Sequence, residues 1–456
     1  MRSRCGTEYG GLKILIYSAN FAPEPTGVGK YSGEMAEWLV ARGHTVRVVA
    51  ALPYYPQWRR DPAFAGKAYR RDAWRGCTVW RAPIWVPRSP TGVRRVLHLL
   101  SFAAASLPLM LQQILWRPQL VITVAPAFLC APLGWVAARA SGAKAWLHLQ
   151  DFEVDLAFRM RLLESKFARR VMLRMERWVL RRFDIVSTIS RRMLQLLHRK
   201  GVEPARARYF PNWVNTTLIS PSLRGALYRA ELDIAPETLV ALFSGSMGQK
   251  QGLLSIPAAA RLLAHRKDIV FVVCGDGAMK PALAAAAAGM ANVRLLALQP
   301  GERLGELLCL ADMHLLPQDA DASDLVLPSK LSGMMASGRP VITMSRPGTE
   351  LESTVSRCGL TVPPDDAAAL AAAVERLADD PTLRAALGAE ARVFAEAHFE
   401  IDSVLGRVFE STGRSPGGAA ASGAVAAAAV RERAALEAFG SDSSSLGPDP
   451  SVRKIC

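Results

Sequence analysis

The chain has 456 residues, of which 50% are hydrophobic and 21% are charged, and its formal net charge is +16. That length exceeds what one hydrophobic core usually serves, so we expect two domains. The seven cysteines are scattered and form no CxxC pair, which argues against a disulfide framework and against a zinc site. The composition is typical of a globular protein, and no charge-free apolar run is long enough to span a membrane. The cysteine pattern fits a reducing cytoplasm best.

Arginine is concentrated between residues 59 and 95 and again between residues 159 and 208. A basic first half attracts anions, which include nucleic acid, acidic lipid headgroups and phosphorylated substrates. Helix-turn-helix, ribonucleoprotein-type aromatic and zinc-finger patterns are all absent from the sequence, which disfavours nucleic acid. A basic face that is merely solvated remains the alternative.

The first half begins with a βαβ unit. Residues 12–18 predict a buried strand, a long loop with glycines follows, and residues 34–41 and 45–50 predict a helix and a second strand. This order indicates a right-handed crossover and a parallel sheet. Gly27, Gly29 and Gly33 miss the dinucleotide spacing G-x-G-x-x-G by one residue, and no acidic residue ends the second strand, so a nicotinamide dehydrogenase is disfavoured. The loop still permits a close approach to a ligand, with a flexible connection as the alternative.

Further along the first half, residues 120–124, 145–149 and 185–188 predict strands, and residues 132–140 predict a helix. The strand at 145–149 places His148, Gln150 and Asp151 at its carboxyl end, where open α/β sheets bind ligands. Packing of His148 within the strand, and helix capping or arginine pairing by Asp151, are the structural alternatives.

The second half repeats the strand and helix rhythm, with strands predicted at 240–244, 269–274, 293–297 and 313–317. Two of these strands end in glycine-rich turns, and their candidate ligand-binding residues are Gly245, Ser246, Gly248 and Lys250 in the first turn and Gly275, Asp276 and Gly277 in the second. Two successive doubly wound sheets with such turns predict a cleft between two lobes.

The stretch from residue 324 to residue 343 carries the sharpest local pattern. Pro328, Ser329 and Lys330 form a turn that opens a short apolar helix, which ends at Gly338 before a strand. The N–H groups at a helix start, together with a lysine, predict a cradle for a diphosphate. An ordinary crossover with a solvated lysine is the alternative.

These patterns predict an organisation into lobes and flanking segments. The predicted segments are an extension (1–11), an N-terminal domain (12–208), a Pro/Asn-rich linker (209–220), a C-terminal domain (221–390), a helix (391–410) and a low-complexity tail (411–456).

Taken together, the motifs K-I-L-I, P-x-x-T-G-x-G-K-Y, H-x-Q-D, S-G-x-x-G-x-K-Q-G-L, G-D-G and L-P-S-K-L resemble the retaining GT-B glycosyltransferases of glycosyltransferase family 4. The similarity spans about residues 12–410 and is strongest to colanic acid exopolysaccharide glycosyltransferases. It implies an α/β fold of two doubly wound Rossmann-like domains facing across a cleft. It also implies a nucleotide-sugar donor in the second lobe, an acceptor in the first, retained anomeric configuration, and neither a cofactor nor a catalytic metal.

The resemblance assigns roles to individual residues. It implies that Lys250 faces the donor diphosphate, and we expect Lys330 to supply a second cation there and Asp151, which matches an acidic residue of the family, to orient the acceptor. Ser246 stands where the family usually has an arginine, and the family's paired glutamates fall near Leu325 and Gly333, which are not acidic. The remaining substrate-binding positions are Gly27, Gly29, His148, Gln150, Gly245, Ser246, Gly248, Gly275, Asp276, Gly277, Leu327, Pro328 and Ser329.

Two other readings compete with a metal-independent transferase. Asp319-Ala320-Asp321 has the D-x-D form that binds manganese in single-sheet glycosyltransferases, so a metal-dependent reaction is one alternative. The other is a protein that transfers nothing, either a GT-B-like sugar-nucleotide epimerase or a non-catalytic binder of anionic polymer.

The resemblance implies transfer to a polyprenyl-diphosphate-linked oligosaccharide at the cytoplasmic face of the membrane, with UDP- and GDP-linked donors both open. Residues 96–115 predict a surface helix, and Arg88, Arg94 and Arg95 precede it. Three tryptophans interleaved with arginines stand just before them: Trp74, Trp80 and Trp85 with Arg75 and Arg81. We therefore predict peripheral attachment to an anionic membrane, with packing of residues 96–115 inside the first lobe as the alternative.

Overall fold

A computed structural model describes residues 11–64, 68–88, 92–125, 128–152, 166–223, 225–319 and 327–413. Residues up to 405 belong to one compact unit, which contains both sheets, and residues from 406 onward belong to a second. The predicted extension and tail lie almost entirely outside the described residues.

The first sheet has eight strands in the described part of the chain, in the order β3-β4-β2-β1-β5-β6-β7-β8. All neighbouring pairs are parallel except β3 and β4, which form an antiparallel edge. The strands are β1 (Lys13–Ser18), β2 (Thr45–Ala51), β3 (Arg70–Trp74), β4 (Cys77–Ala82), β5 (Leu120–Ala125), β6 (Lys144–Leu149), β7 (Ile185–Thr188) and β8 (Ala207–Tyr209).

Helices cover both faces of this sheet, which explains why its central strands are almost continuously apolar. The crossover through α1 runs in the opposite direction along the sheet from those through the later helices, so the right-handed rule puts α1 on one face and the others on the opposite face. The helices are α1 (Gly27–Ala41), α2 (Gly92–Trp116), α3 (Ala131–Ser141), α4 (Lys166–Leu180) and α5 (Arg191–Arg199).

The second sheet has six parallel strands within the described ranges, in the order β11-β10-β9-β12-β13-β14. Its order reverses between β9 and β12, which is the switch point where such sheets bind ligands. The strands are β9 (Leu239–Ser246), β10 (Ile269–Asp276), β11 (Val293–Leu296), β12 (Met313–Leu316), β13 (Val341–Met344) and β14 (Gly359–Val362).

The second half also contains short helices between its strands and longer ones at its end. They are α6 (Ala226–Glu231), α7 (Ser255–Leu262), α8 (Lys280–Ala287), α9 (Leu304–Cys309), α10 (Lys330–Ala336), α11 (Glu350–Val355), α12 (Ala367–Asp379), α13 (Pro381–His398) and α14 (Ile401–Gly413). The predicted α/β class with two doubly wound sheets is confirmed. The predicted domain boundaries stay predictions.

The start of α1 corrects one sequence prediction. The glycine loop was expected to run to residue 33, but the helix already begins at Gly27, directly after the extended residue Thr26. Gly27 and Gly29 therefore lie in the first helical turn. A side chain at residue 29 has no room, because its Cβ would come within 2.6 Å of the Cβ of Glu24.

Helix α2 is half buried along its length. Phe102 and Met110 belong to the first-lobe core, and the Tyr17 hydroxyl is 2.6 Å from Ser106 Oγ. The opposite face exposes apolar side chains, most of which follow one another at helical spacing, at Val93, Val96, Leu97, Leu100, Leu107, Leu111 and Leu115. The alternative of complete packing within the lobe is therefore wrong. Among the described helices, only α2 is long and apolar enough to cross a membrane by length and composition alone.

Part of the predicted membrane-facing cluster is also wrong. Trp80 is buried, with the guanidinium groups of Arg47 and Arg71 over its ring, and Arg81 is 2% exposed. Arg81 Nε donates to Asp72 Oδ2 at 2.7 Å. The antiparallel pairing of β3 with β4 places Asp72 beside β4, where its carboxylate contacts the buried Arg81. Trp85 is exposed, as predicted.

Candidate active site

The candidate residues of the second lobe lie at the carboxyl ends of β9 and β10 and at the start of α10. These strands extend through Gly245–Ser246 and Gly275–Asp276, two residues beyond the predicted ends. Gly275 approaches its neighbour so closely that a Cβ there would lie 1.9 Å from the carbonyl oxygen of Gly245. The Met247 N–H then donates to Asp276 O, so the two turns are fixed against each other.

Lys330 reaches from the first position of α10 to the end of β9. Its Nζ donates to Gln251 Oε1 at 2.6 Å and lies 4.3 Å from the centroid of the Phe243 ring. Absence of a side chain at Gly245 makes this possible, because a Cβ there would lie 3.0 Å from Nζ. Burial lowers the pKa of Lys330 to about 7. The ammonium is therefore close to losing its proton at neutral pH unless an anion binds beside it.

The other predicted residues of this lobe lie at the ends of β9 and β10 and in the turn after β9. Gly248 precedes a short 3₁₀ turn that contains Lys250, whose side chain lies outside what the structure describes. Ser246 is exposed at the end of β9. Asp276 is exposed, and its Oδ1 lies 3.6 Å from Lys280 Nζ.

The candidate residues of the first lobe form a polar chain beyond β6. Gln150 Nε2 donates to His148 Nε2 at 2.9 Å and to Asn212 Oδ1 at 3.0 Å. Burial lowers the pKa of His148 to about 3, so the ring is neutral. Since Nε2 accepts, Nδ1 carries the proton and donates to Ser187 Oγ at 2.9 Å. His148 is thus buried behind Gln150 and orients that amide.

Asp151 follows Gln150 at the carboxyl end of β6 and is half-buried. Its Oδ1 accepts a hydrogen bond from the N–H of Phe152 at 2.8 Å. Residues 153–165 lie outside the described ranges, so the predicted role of Asp151 toward an acceptor stays a prediction.

Glu24 organises the first-lobe turn that carries Gly27 and Gly29. Its carboxylate accepts hydrogen bonds from Tyr54 N at 3.1 Å, Tyr55 N at 3.0 Å and Asn20 Nδ2 at 2.9 Å. Burial raises the pKa of Glu24, although these donors oppose the shift. The loops after β1 and β2 are therefore tied together at the sheet end that faces the second lobe.

A small pocket lies where the two lobes meet. It combines residues from the end of the first lobe with the turn before α10, and its lining is Ile189, Pro211, Asn212, Leu327, Pro328, Ser329, Ser332 and Phe399. The Tyr31 hydroxyl of α1 donates to the carbonyl oxygen of Ser329, one of the lining residues, at 3.4 Å. The structure thus brings the predicted residues Leu327, Pro328 and Ser329 to the same junction as the Gln150–Asn212 pair.

Polar contacts join the lobes around this pocket. Both carboxylate oxygens of Glu350 accept backbone N–H groups at the start of α5, from Arg191 at 2.8 Å and Arg192 at 2.9 Å. On α1, Glu34 Oε2 accepts from Trp213 Nε1 at 2.9 Å. The described lobes therefore meet through directional contacts as well as through packing.

The described residues contain no group of three or more His, Cys, Asp or Glu side chains that could hold a metal ion. Asp319 is described, but Ala320 and Asp321 of the D-x-D pattern lie outside the described ranges.

Several residues with specific contacts were missed by sequence reasoning. Gln251, Asn212 and Glu24 each make side-chain hydrogen bonds, but no charge pattern in the neighbouring sequence indicated these bonds. Sequence reasoning therefore assigned the three residues no role. Gln251 had the clearest available indication, because it adjoins Lys250 in the glycine-rich turn.

Two doubly wound sheets whose strand ends and loops meet at a common junction define the GT-B class of glycosyltransferases. Residues 26–213 match the family described as "Glycosyl transferase 4-like domain". Residues 238–380 match the family described as "Glycosyl transferases group 1". The chain therefore belongs to the glycosyltransferases, as a relative that matches almost over its full length also indicates.

The chain is 37% identical over 406 residues to the "Putative colanic acid biosynthesis glycosyl transferase WcaI" of Escherichia coli (strain K12), covering 86% of this chain and 98% of that protein. Sucrose-phosphate synthase from Thermosynechococcus elongatus has a similar structure, with TM-score 0.66 and 19% identity over 88% of this chain and 99% of the other. Anabaena HepE in complex with UDP-glucose is also similar, with TM-score 0.63 and 15% identity over 88% and 99%.

Proposed function

We propose that this glycosyltransferase moves a sugar from a nucleotide-sugar donor to a lipid-linked oligosaccharide during exopolysaccharide assembly, with retention of anomeric configuration. The observation that carries the proposal is Lys330, a half-buried cation at the switch point of the second sheet. The name of the Escherichia coli relative supports a colanic acid-like pathway, and the UDP-glucose complex of HepE supports a nucleotide-sugar donor.

Departure of a nucleoside diphosphate requires stabilisation of the charge that develops on the leaving phosphate. Preorganised cations and amides aimed at that charge supply the largest catalytic contribution in such reactions. Lys330 is held in place before the donor arrives, and Lys250 stands in the adjacent turn. We infer that these two lysines, with backbone N–H groups, perform this role without a metal ion. The leaving phosphate itself then takes the acceptor proton, and Asp151 orients the acceptor.

A donor screen followed by a transfer assay tests this function. Among UDP- and GDP-sugars, one is expected to raise the unfolding temperature of the protein, because ligands that bind only the folded state stabilise it. With a polyprenyl-diphosphate-linked oligosaccharide, that donor is expected to give an elongated product and free nucleoside diphosphate. The product should keep the donor's anomeric configuration by NMR, and the rate should be unchanged in chelator.

The outcomes separate the proposal from its competitors. Conversion of the nucleotide sugar without release of diphosphate would indicate an epimerase. Binding of anionic polymer with no turnover of any donor would indicate a non-catalytic protein. Loss of activity in chelator, restored by manganese, would require a metal site in the loop that contains Asp319.

We also propose that the protein attaches peripherally to the cytoplasmic face of an anionic membrane through α2. This helix cannot leave its lobe, because Phe102 and Met110 pack in the core. Its outer face nevertheless exposes a continuous apolar row, of which Leu111 is 55% exposed and Leu115 is 84% exposed. Such a helix is expected to lie in the membrane interface with its apolar side buried to a shallow depth.

Charge complements this apolar row at the start of the helix. Arg88 and Arg94 are exposed there, next to the exposed Trp85. Near an anionic bilayer the attraction of each arginine is worth about 1 kcal/mol. It falls off within about one Debye length of the surface, and the Debye length shortens as the salt concentration rises. Attachment at this face would bring the lipid-linked acceptor to the first lobe.

Liposome co-sedimentation tests the membrane proposal. The protein is expected to bind anionic vesicles and to lose most of that binding in high salt or in neutral vesicles. Leu111→Glu places a charge in the apolar row and should reduce binding about tenfold, whereas Gln112→Glu adds the same charge at a neighbouring exposed polar position and should change it less. Equal binding to neutral vesicles at any salt concentration would refute the proposal.

A further inference from the structure

We propose that Gln251 is a positioning residue for the reaction: its neutral amide oxygen fixes the Lys330 ammonium while leaving the positive charge available to a donor diphosphate. This inference rests on the proposed donor site, because it assigns Gln251 a function through Lys330. It adds a residue that has no charge of its own and no predicted contact with the substrate.

Three groups define the position of the ammonium. Gln251 Oε1 accepts from Lys330 Nζ at 2.6 Å, and the Phe243 ring lies 4.3 Å from the same nitrogen. The third is the backbone of Gly245, against which the end of the lysine side chain packs. Gln251 is the hydrogen-bond acceptor of this ammonium among the described residues, and an ammonium has three hydrogens to donate, so it can also donate to a bound anion.

The turn that carries Gln251 is itself fixed. It is a single 3₁₀ turn, Gln249–Gln251, which ends at Gly252 with a left-handed φ of 55°. A Cβ on Gly252 would lie 3.1 Å from the carbonyl oxygen of Gln318, so the turn packs closely against the loop after β12. Gln251 therefore cannot shift toward or away from Lys330 without moving two loops.

The groups described around the ammonium carry no negative charge. Phe243, Gly245 and Gln251 are uncharged, and α10 has no charged residue besides Lys330. Charged positions on the neighbouring loops are Lys250, whose side chain is outside the described residues, Asp319, whose backbone adjoins Gly252, and Asp276 at the end of β10. Residues 320–326 lie outside the described ranges.

A neutral acceptor differs from a carboxylate in its effect on a bound diphosphate. An amide oxygen orients the ammonium, but it does not cancel its charge. A glutamate at the same position would form an ion pair with Lys330, raise the pKa of the lysine and compete with the phosphate for it. The presence of Gln251, and not of an acid, thus preserves a cation that the incoming diphosphate neutralises.

Binding of UDP and of GDP, measured separately by calorimetry from about pH 6.5 to about pH 9, tests the proposal. For the wild type, affinity should fall as pH rises above about 7, because the free Lys330 then loses its proton. Gln251→Glu should weaken binding about tenfold at neutral pH and move this alkaline loss upward by at least about one pH unit. Gln251→Met keeps the length without the acceptor and should weaken binding about threefold or more.

The controls make each outcome decisive. Gln249→Glu adds the same charge at an exposed position of the same turn and should bind like the wild type. Unchanged affinity and pH dependence in both Gln251 variants would overturn the positioning role, provided that Lys330→Ala impairs binding. Full binding by Lys330→Ala would instead overturn the donor site, and the role of Gln251 with it. Thermal unfolding of each variant verifies that it is folded.

Discussion

Replacing Lys330 by alanine is expected to lower kcat/KM by about ten- to a thousandfold, which corresponds to about 1.5–4 kcal/mol of lost transition-state stabilisation. The reason is that its ammonium lies at the switch point of the second sheet, where we propose that the leaving diphosphate gains charge. Lys250→Ala is expected to fall in the same range. Steady-state kinetics with the identified donor and acceptor measure both effects.

A matched control separates this effect from a general loss of positive charge. Lys267 is an exposed lysine whose Nζ donates to the carbonyl oxygen of Ala264, and Lys267→Ala should retain full activity. Urea unfolding should show little change in stability for any of the three variants. Normal turnover by both Lys330→Ala and Lys250→Ala would mean that the diphosphate binds elsewhere.

The pH dependence of the wild type follows from the same lysine. Its pKa is lowered to about 7 by burial, so in the free protein the ammonium is lost as pH rises through that value. The kcat/KM for the donor should therefore fall above about pH 7. Because a bound diphosphate favours the protonated form, kcat at saturating donor should persist to higher pH. A kcat/KM that is constant from neutral to alkaline pH would contradict this assignment.

Replacing Arg81 by alanine is expected to destabilise the protein by about 1–3 kcal/mol, because Asp72 loses its buried partner and keeps only Arg70, which is 32% exposed. Arg81 also donates from its guanidinium to Ala22 O at 2.6 Å and Ala51 O at 3.3 Å, next to the loops held by Glu24. The loss therefore combines a broken ion pair with two unsatisfied carbonyl groups. Equilibrium unfolding in urea gives the free energy of unfolding.

Arg88→Ala serves as the control for this substitution. Arg88 is exposed, so its removal should change the free energy of unfolding by less than about 0.5 kcal/mol. If Arg81→Ala and Arg88→Ala were equally stable, the Asp72–Arg81 contact would have no structural importance. The apolar substitution Arg81→Met should lie close to Arg81→Ala, since neither side chain can donate to Asp72.

The sequence predicted the strands well because buried parallel strands are short apolar runs with polar turns at their ends. Ile185–Thr188 has the predicted bounds, and β1 differs by one residue. The start of α1 was misplaced because its first turn contains two glycines, which have low helix propensity. The close approach of Glu24, which leaves no room for a Cβ at residue 29, accounts for a glycine within this helical turn.

Contacts between distant residues could not be predicted in the same way. Lys330 was identified from its local turn, but its partner Gln251 is 79 positions away and belongs to another loop. Trp80 and Arg81 read as part of an exposed basic and aromatic segment, yet β4 is an inner strand between β2 and β3 and is buried on both faces. Alternation along a strand indicates which side chains share a face, but it does not indicate whether another strand pairs beside it.

The contact between Glu350 and α5 has a consequence for protein engineering. The acid binds two main-chain N–H groups, so it requires a helix start at residues 191–192 but no particular side chains there. A chimera that combines this first lobe with the second lobe of a relative would need an acid at the equivalent of Glu350 to keep the contact. Under the proposed function, such hybrids would exchange sugar-donor preference while the half that we propose binds the acceptor stays unchanged.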